Sequence, residues 1–262
     1  MYSIKTDHNN INLLCAPRAI RERQFTRLVQ NSLELQKRAP RHFPSAKCAK
    51  WSRFIVQLQQ KQKAIPKPFS PVAKLVQLYL PSYSQYPVLD IGCETGKNAA
   101  CLIRGGHQVT LLDITHVAIQ CTVQNLKKVG LEGGIAHTVI GGIEDLGPTQ
   151  GPFKAIVGTY AFSFISPKSF QEVMQNNVLR KIEVGGYFAG GFFGPSHAWA
   201  KNPHLTIMTA KKIASFFREK NFVICDLQEK IKVSRTVRAG NQTFHTIEVI
   251  AKRISYSRFN LE

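Results

Sequence analysis

The sequence predicts a doubly wound α/β domain preceded by a basic helical extension, and three features support this prediction. From Pro71 onward, short apolar runs alternate with stretches of helical periodicity, which is typical of parallel strands joined by crossover helices. The first apolar run, Val88–Ile91, leads into a turn that contains glycine. Residues 1–68 differ in charge from the rest of the chain. We therefore divide the chain into an extension over residues 1–68 and a folded domain over residues 69–262.

The elements of the domain follow from two kinds of periodicity. Strands are expected where most residues of a short run are apolar, and helices where apolar residues recur three and four positions apart. Helices are predicted over Ala73–Leu80, Asn98–Arg104, Ala118–Val129, Phe170–Lys181 and Ala210–Lys220. Strands are predicted over Val88–Ile91, Val109–Asp113, Ala136–Ile140, Ala155–Gly158, Tyr187–Phe193, Phe222–Leu227 and Thr243–Ala251. This order supports a doubly wound α/β domain, and the pattern by itself specifies nothing finer.

The charge of the chain is strongly positive and unevenly distributed. The 35 Lys and Arg residues outnumber the 16 Asp and Glu residues, for a formal net charge of +19. Residues 1–68 alone hold 14 of the basic residues and 3 of the acidic ones. Such a field favours acidic partners, such as nucleic acid, an anionic membrane surface or acidic metabolites, without identifying one.

The extension is predicted to be mainly helical. Apolar residues recur at roughly helical spacing within residues 20–33, and a second helical stretch covers Trp51–Gln62. Three roles remain open for it. It is a solvated basic tail, a nucleic-acid arm in which Phe43, Trp51 and Phe54 are available for stacking, or a mitochondrial targeting segment.

Cysteine usage favours a reducing compartment. The six cysteines are scattered, without a Cys-x-x-Cys pair or a His-rich ligand spacing, so neither a disulfide framework nor a structural zinc site is expected. No apolar run approaches the length that a membrane span requires, and Arg18 interrupts the apolar stretch Ile11–Ile20. The expectation is therefore a cytoplasmic protein without a metal centre.

The stretch from Val88 to Asn98 carries the most chemical information. It reads Val-Leu-Asp-Ile-Gly-Cys-Glu-Thr-Gly-Lys-Asn. Its glycines allow the backbone to turn sharply and to approach a ligand, and the turn opens onto a predicted helix N-terminus. At the end of the second strand, Asp113 suits a ribose, because a carboxylate can accept hydrogen bonds from two hydroxyl groups. A ligand that contains a nucleoside is therefore expected.

Three nucleotide sites share this layout, and two of them fit poorly. A P-loop requires four residues between its glycines, whereas three separate Gly92 from Gly96, and Asn98 stands in place of the hydroxyl residue that binds magnesium. A dinucleotide site requires a glycine where Glu94 stands, and this carboxylate would lie near the pyrophosphate. S-adenosylmethionine has no phosphate and carries an ammonium group, so an acidic neighbour is compatible with it. This cofactor fits best.

The stretch Asp90–Gly96 resembles motif I of class I S-adenosylmethionine-dependent methyltransferases. A longer similarity is to the tellurite-resistance (TehB-like) branch of small-molecule methyltransferases, and it rests on Gly96–Leu102, Gly105–Val109, Asp113, Gly191–Gly194, Thr209–Lys211 and Phe244–Lys252. The resemblance implies a Rossmann-like methyltransferase fold, with a mostly parallel seven-stranded sheet and an antiparallel strand near one edge. It also implies S-adenosyl-L-methionine as the cofactor.

The resemblance further implies roles for individual residues. Asp90 orders the motif I loop and reaches the methionine amino group through water, Asp113 holds the ribose, and Ile143 lies against the adenine. The implied cofactor site comprises Asp90, Gly92, Cys93, Gly96, Asn98, Asp113, Ile114, Ile143, Glu144 and Thr159.

The sequence departs from the pattern of the resembled family at three positions. Gly142 and Lys154 stand where relatives commonly have Asp, and Glu94 replaces the commonest middle glycine. These departures concern the adenine and methionine contacts and leave the class of cofactor unchanged.

Candidate catalytic residues are His245, His197 and Tyr160. A neutral imidazole can accept a proton near pH 7, and both histidines are expected at the carboxyl ends of the parallel strands. The structural alternatives are a buried packing role for His245 and an exposed loop position for His197. Trp199 is a candidate wall of the acceptor pocket, whereas Phe192 is expected in the core.

The predicted activity is methyl transfer from S-adenosylmethionine to an unidentified small molecule. One alternative is a nucleic-acid (RNA) methyltransferase that uses the basic residues 1–68, and another is a non-catalytic cofactor-binding or interaction protein. Methylation of an exocyclic base amine is disfavoured, because Gly158-Thr159-Tyr160-Ala161 stands where such enzymes carry Asn/Asp-Pro-Pro-aromatic.

Overall fold

The computed structural model describes residues 45–62, 64–81, 84–147, 151–236 and 240–255. The helical pattern predicted within residues 20–33 lies outside these ranges, as does Phe43.

One seven-stranded sheet organises the domain, with the strand order β3-β2-β1-β4-β5-β7-β6. Strands β1 to β5 are parallel, and β7 runs antiparallel to both of its neighbours. This arrangement confirms the predicted fold class, including the antiparallel strand near one edge. The strands are β1 Val88–Ile91, β2 Val109–Asp113, β3 Ile135–Ile140, β4 Phe153–Gly158, β5 Ile182–Phe193, β6 Phe222–Thr236 and β7 Gly240–Arg253.

Helices cover both faces of the sheet. They are α1 Ser45–Lys61, α2 Ser70–Leu78, α3 Lys97–Arg104, α4 His116–Lys128, α5 Phe170–Val173 and α6 Ala210–Glu219. Residues of α2, α3 and α4, such as Leu75, Leu102 and Leu126, pack on one face, and those of α5 and α6, such as Phe217, pack on the other. Phe192 is fully buried in the second core, as predicted.

The predicted helix over residues 170–181 is only partly α-helical. After α5 the chain continues through a π turn over Met174–Val178 and a 3-10 turn over Leu179–Lys181. The side-chain amide of Asn177 donates hydrogen bonds to the carbonyls of Glu144 and Leu146, at 3.1 and 3.4 Å. The irregular turn therefore anchors the loop that follows β3.

The last two strands are much longer than predicted. β6 was expected to end at Leu227 and β7 to begin at Thr243, but the two pair continuously from Phe222 to Thr236 and from Gly240 to Arg253. The far end of β6 alternates polar residues with Ile231 and Val233, which remain exposed. The prediction relied on apolar runs and therefore missed this alternation, which is also typical of a strand.

Helix α1 packs onto the domain, although it belongs by composition to the extension. Its Ile55 and Val56 form a buried cluster with Val117, Ala118 and Cys121 of α4. Residues 45–62 are therefore in contact with the sheet domain, and the boundary at residue 68 marks a change of composition. None of the helices in the described residues is long and apolar enough to cross a membrane.

Candidate active site

A cavity of about 560 Å³ lies at the carboxyl ends of β1, β2 and β4. This is the edge where ligands bind in open, doubly wound sheets. The turn after β1, the end of β2, the loop after β3 and the segment after β4 form one part of its wall. Helix α1, the end of β5 with the loop after it, and the β6–β7 hairpin supply the rest.

The turn after β1 is built from left-handed residues. Gly92, Glu94 and Gly96 have φ angles of +69°, +52° and +91°. A Cβ atom at Gly96 would approach Thr122 Cγ2 to 3.0 Å, so glycine is required there for space as well as for conformation. The Glu94 carboxylate forms a 2.9 Å salt bridge with Lys97, the first residue of α3. The turn is therefore held open toward the cavity, with Gly92 and Glu94 on its wall.

Behind this turn, Asp90 and Asn98 form a buried polar pair. The Asn98 amide donates to Asp90 Oδ1 at 3.4 Å and to Thr159 Oγ1 at 3.1 Å, and its oxygen accepts the Phe69 N–H at 3.0 Å. Asp90 Oδ2 is buried and has no hydrogen-bond partner among the described residues. Burial raises the pKa of Asp90 to about 7. This carboxylate lacks a donor that a bound ligand or water would supply.

Asp113 is oriented by three hydrogen bonds at the end of β2. Its Oδ1 accepts the backbone N–H and the hydroxyl of Thr115 at 2.9 and 3.0 Å, and its Oδ2 accepts the Glu94 N–H at 3.3 Å. Burial raises the pKa of Asp113 to about 6, so the group is mainly ionised at neutral pH. Its carboxylate lies on the cavity wall.

The predicted cofactor residues divide into two groups. Six of them line the cavity, namely Gly92, Asp113, Ile114, Ile143, Glu144 and Thr159. The other four, Asp90, Cys93, Gly96 and Asn98, lie behind this wall and hold it in place.

Tyr160 stands between the β4 end and the hairpin. It has a φ of +55°, and its ring stacks on Phe193 with centroids 5.5 Å apart. Its hydroxyl donates to Glu248 Oε1 at 3.3 Å. Burial raises the pKa of Tyr160 to about 12, so the phenol stays protonated and acts as a donor. Tyr160 lines the cavity.

His197 also reaches the cavity. Its imidazole stacks on Phe193 at a centroid distance of 4.1 Å. Nδ1 accepts the Trp199 N–H at 3.1 Å, so the neutral ring carries its proton on Nε2. Burial, followed by the neighbouring His245, lowers the pKa of His197. The ring is therefore a hydrogen-bond donor in this arrangement.

His245 is not placed where the sequence predicted it. Thr246 and Glu248 of β7 face the cavity, and because side chains alternate along a strand, His245 points to the opposite face. Its Nδ1 accepts the Ser196 N–H at 3.0 Å, and its Nε2 lies 2.7 Å from Glu229 Oε1. The expectation that it borders the acceptor site is corrected to a buried position that fixes the loop after β5.

Several wall residues were not predicted. Trp51, Phe54 and Ile55 come from α1, where the two aromatic residues had been assigned to nucleic-acid stacking. Lys230, Lys232, Thr246 and Glu248 come from the hairpin. Alternation along β7 places Thr246 and Glu248 on the same face of the strand. The sequence did not show that this face meets the cavity.

The middle of the chain matches a known family model. Residues 88–186 match the family model described as a methyltransferase domain. This part of the chain is similar to methyltransferase domains. The similarity implies S-adenosylmethionine as the cofactor and methyl transfer as the reaction.

Several solved structures share this fold. TehB from Haemophilus influenzae superposes with a TM-score of 0.58 and 19% identity over 71% of this chain and 62% of that one, so this chain spans less than two thirds of TehB. A putative methyltransferase from Bacillus halodurans has a TM-score of 0.58 and 14% sequence identity, and the match covers 71% of this chain and 100% of that one. An S-adenosylmethionine-dependent methyltransferase from Methanosarcina mazei has a TM-score of 0.54 and 18% sequence identity, and the match covers 73% of this chain and 100% of that one. No curated protein has a sequence that matches this chain.

The family match covers the cofactor side of the cavity better than the opposite side. It extends from β1 into β5 and excludes α1, β6 and β7. Those elements, together with the end of β5 and the loop after it, supply Trp51, Phe54, Phe193, Trp199, Lys230 and Glu248 to the wall. The nature of the methyl acceptor must therefore be argued from this chain's own residues.

Proposed function

We propose that this protein is an S-adenosylmethionine-dependent methyltransferase. Its acceptor would be a small, largely apolar molecule that binds between α1, the segment after β4 and the β6–β7 hairpin. The observation that supports this most strongly is the continuity of the cavity. The wall formed by Gly92, Asp113 and Thr159 runs directly into one formed by aromatic rings, without leaving the pocket. A site of this size and lining suits a small ligand beside the cofactor.

The cofactor would be held by the wall near the motif I turn. Asp113 Oδ2 accepts one long hydrogen bond and keeps acceptor capacity for ribose hydroxyls. Ile143 and Thr159 line the cavity. In the proposed site Ile143 would pack against the adenine, and Thr159 would lie toward the methionine end. The unpartnered Oδ2 of Asp90 supports a contact with the methionine ammonium group through water. S-adenosylmethionine supplies an electrophilic methyl group on a sulfonium, while the chain binds, aligns and excludes water.

The activity is tested by turnover of the cofactor to S-adenosylhomocysteine. The full chain is incubated with the low-molecular-mass fraction of a cell extract, and in parallel with the RNA from the same extract. Turnover with the small-molecule fraction alone is the expected result. Turnover confined to the RNA fraction would contradict a small-molecule acceptor.

The charge of the chain favours a second candidate, an RNA methyltransferase that uses residues 1–68 to hold its substrate. Fourteen basic residues in that range would neutralise phosphates, and binding would weaken steeply as salt rises. Filter binding of RNA across a salt series separates the two candidates. A steep salt slope in the full chain, combined with turnover on RNA, would favour this second function.

A further inference from the structure

We propose that the acceptor is an aromatic hydroxyl compound and that Glu248 receives its proton during methyl transfer. This inference rests on the proposed function and specifies its substrate class. It is carried by a buried carboxylate of β7 that lines the same cavity as a group of aromatic rings and accepts a hydrogen bond from Tyr160.

The rings form a continuous wall. Phe164 lies edge-to-face with Trp51 at a centroid distance of 5.3 Å and with Phe193 at 5.8 Å. Phe193 in turn lies edge-to-face with Trp199 at 5.6 Å. Trp199 is 48% exposed, so its ring stands at the mouth of the cavity. Rings in this arrangement favour a flat aromatic ligand over a charged or strongly hydrated one.

Glu248 lines the same cavity as these rings. It is only 6% exposed, and its Oε2 pairs with Lys230 Nζ at 2.6 Å. Its Oε1 accepts the Tyr160 hydroxyl at 3.3 Å, which is long for an O–H···O bond to a carboxylate. Oε1 therefore has room for a second, shorter bond from a ligand hydroxyl.

Other groups on the described cavity wall do not suit proton acceptance from the acceptor. Tyr160 stays protonated, His197 already carries its proton on Nε2, and Lys230 is a cation held by Glu248. The remaining wall carboxylates, Glu94, Asp113 and Glu144, lie on the turn after β1, the end of β2 and the loop after β3, which is the cofactor side.

The proposed step balances in atoms and electrons. The acceptor oxygen forms a bond to the methyl carbon, and the bond from that carbon to the sulfonium sulfur breaks with its electron pair remaining on sulfur. The hydroxyl proton passes to Glu248 Oε1. The products are an aryl methyl ether, a neutral thioether and a protonated Glu248, which returns its proton to solvent.

The test compares acceptors of the same shape that differ in their need for a base. Wild type and Glu248→Gln are assayed with phenol, catechol and 2-naphthol, and with 2-naphthalenethiol, which is more acidic and ionises without enzymic help. The expected result is a loss of about 10²-fold in kcat on 2-naphthol. Turnover of the thiol and cofactor affinity should remain nearly unchanged. The matched control is Glu229→Gln, because Glu229 lies in the same hairpin but contacts His245. This variant should keep full turnover on both 2-naphthol and the thiol.

Each other outcome overturns a defined part of the proposal. Full 2-naphthol turnover by Glu248→Gln, or an equal loss on both acceptors, would exclude proton acceptance by Glu248. A wild type that binds the cofactor but methylates none of the hydroxyl compounds would overturn the acceptor class alone. A folded wild type that does not bind the cofactor would overturn the proposed function itself. If Glu248→Gln fails to fold, Glu248→Asp must show the same selective loss on 2-naphthol.

Discussion

Gln59 and Asn125 exchange two side-chain amide hydrogen bonds, each 2.8 Å long, and thereby join α1 to α4. The Asn125 amide also donates to the carbonyl of Thr95 in the motif I turn, at 3.0 Å. The side-chain amide of Gln62, the first residue after α1, donates to the Thr95 hydroxyl at 2.9 Å. The helix that brings Trp51 and Phe54 to the cavity is therefore connected to the cofactor turn by side-chain amides.

Gln59→Ala should loosen α1 without unfolding the domain. It removes both bonds to Asn125, at a cost of about 1–3 kcal/mol for that contact. Amide hydrogen exchange in residues 45–62 should accelerate, whereas exchange in the sheet should not. The exposed Gln60→Ala on the same helix is the control. Equal exchange in the two variants would show that the amide pair does not hold α1.

Gly96→Ala should destabilise the domain by more than about 1 kcal/mol. The residue has a φ of +91°, and the new methyl group would press against Thr122. Gly133→Ala is a matched control, since its Cβ would enter open space and its φ is not positive. Urea unfolding measures both variants. Similar midpoints for the two would contradict the assignment of strain to Gly96.

Asp90 should make the unfolding free energy of the cofactor-free protein fall as the pH rises. Its pKa is about 7 in the folded state against an ordinary 3.8, so the folded state binds this proton more tightly than the unfolded state. Stability from this group is present in acid and is lost as the pH rises toward 7. Asp90→Asn removes this titration. The unfolding free energy of the variant minus that of the wild type should therefore be about 2–3 kcal/mol higher at pH 8 than at pH 5.

Urea unfolding of wild type and Asp90→Asn at pH 5 and pH 8 measures this difference. The comparison subtracts other titrating groups, including Asp113, whose raised pKa acts in the same direction. Parallel pH profiles for the two proteins would show that Asp90 does not titrate in this range.

The sequence predicted the strands and the turn that form the proposed cofactor half of the site. Asp90, Gly92, Gly96 and Asp113 lie at strand ends that apolar runs identify, and local backbone requirements determine the residue types there. The sequence alone could not distinguish a residue on the cavity wall, such as Asp113, from a residue that supports the wall, such as Asn98. It depends on which way each side chain points after the turn has folded.

The acceptor half depends on contacts between distant segments. Trp51 and Glu248 are far apart in sequence and line the same cavity only because α1 docks on α4 and β7 inserts between β5 and β6. The placement of His245 failed for a related reason. A shift of one residue along a strand reverses the face, and the sequence alone did not determine which face of β7 meets the cavity.

His245→Ala should reduce stability rather than affinity for the cofactor. It leaves the Ser196 N–H without its acceptor and removes a buried ring, which costs about 1–3 kcal/mol for the unsatisfied donor alone. Thermal unfolding should show a lower midpoint, with a nearly unchanged Kd for S-adenosylmethionine. His204→Ala, on an exposed turn, is the control. A large loss of cofactor affinity at full stability would instead place His245 in the binding site.

Calorimetric titration with S-adenosylmethionine tests the central claim most directly. Wild type should bind one equivalent, and Asp113→Asn should bind more weakly by about 1.5–3 kcal/mol, or roughly 10- to 150-fold in Kd, because hydrogen bonds to a charged group are lost. Asp226→Asn, which changes a carboxylate paired with Lys74 away from the cavity, should bind as wild type does. Absence of binding to a folded wild type, or equal binding by Asp113→Asn, would contradict the account.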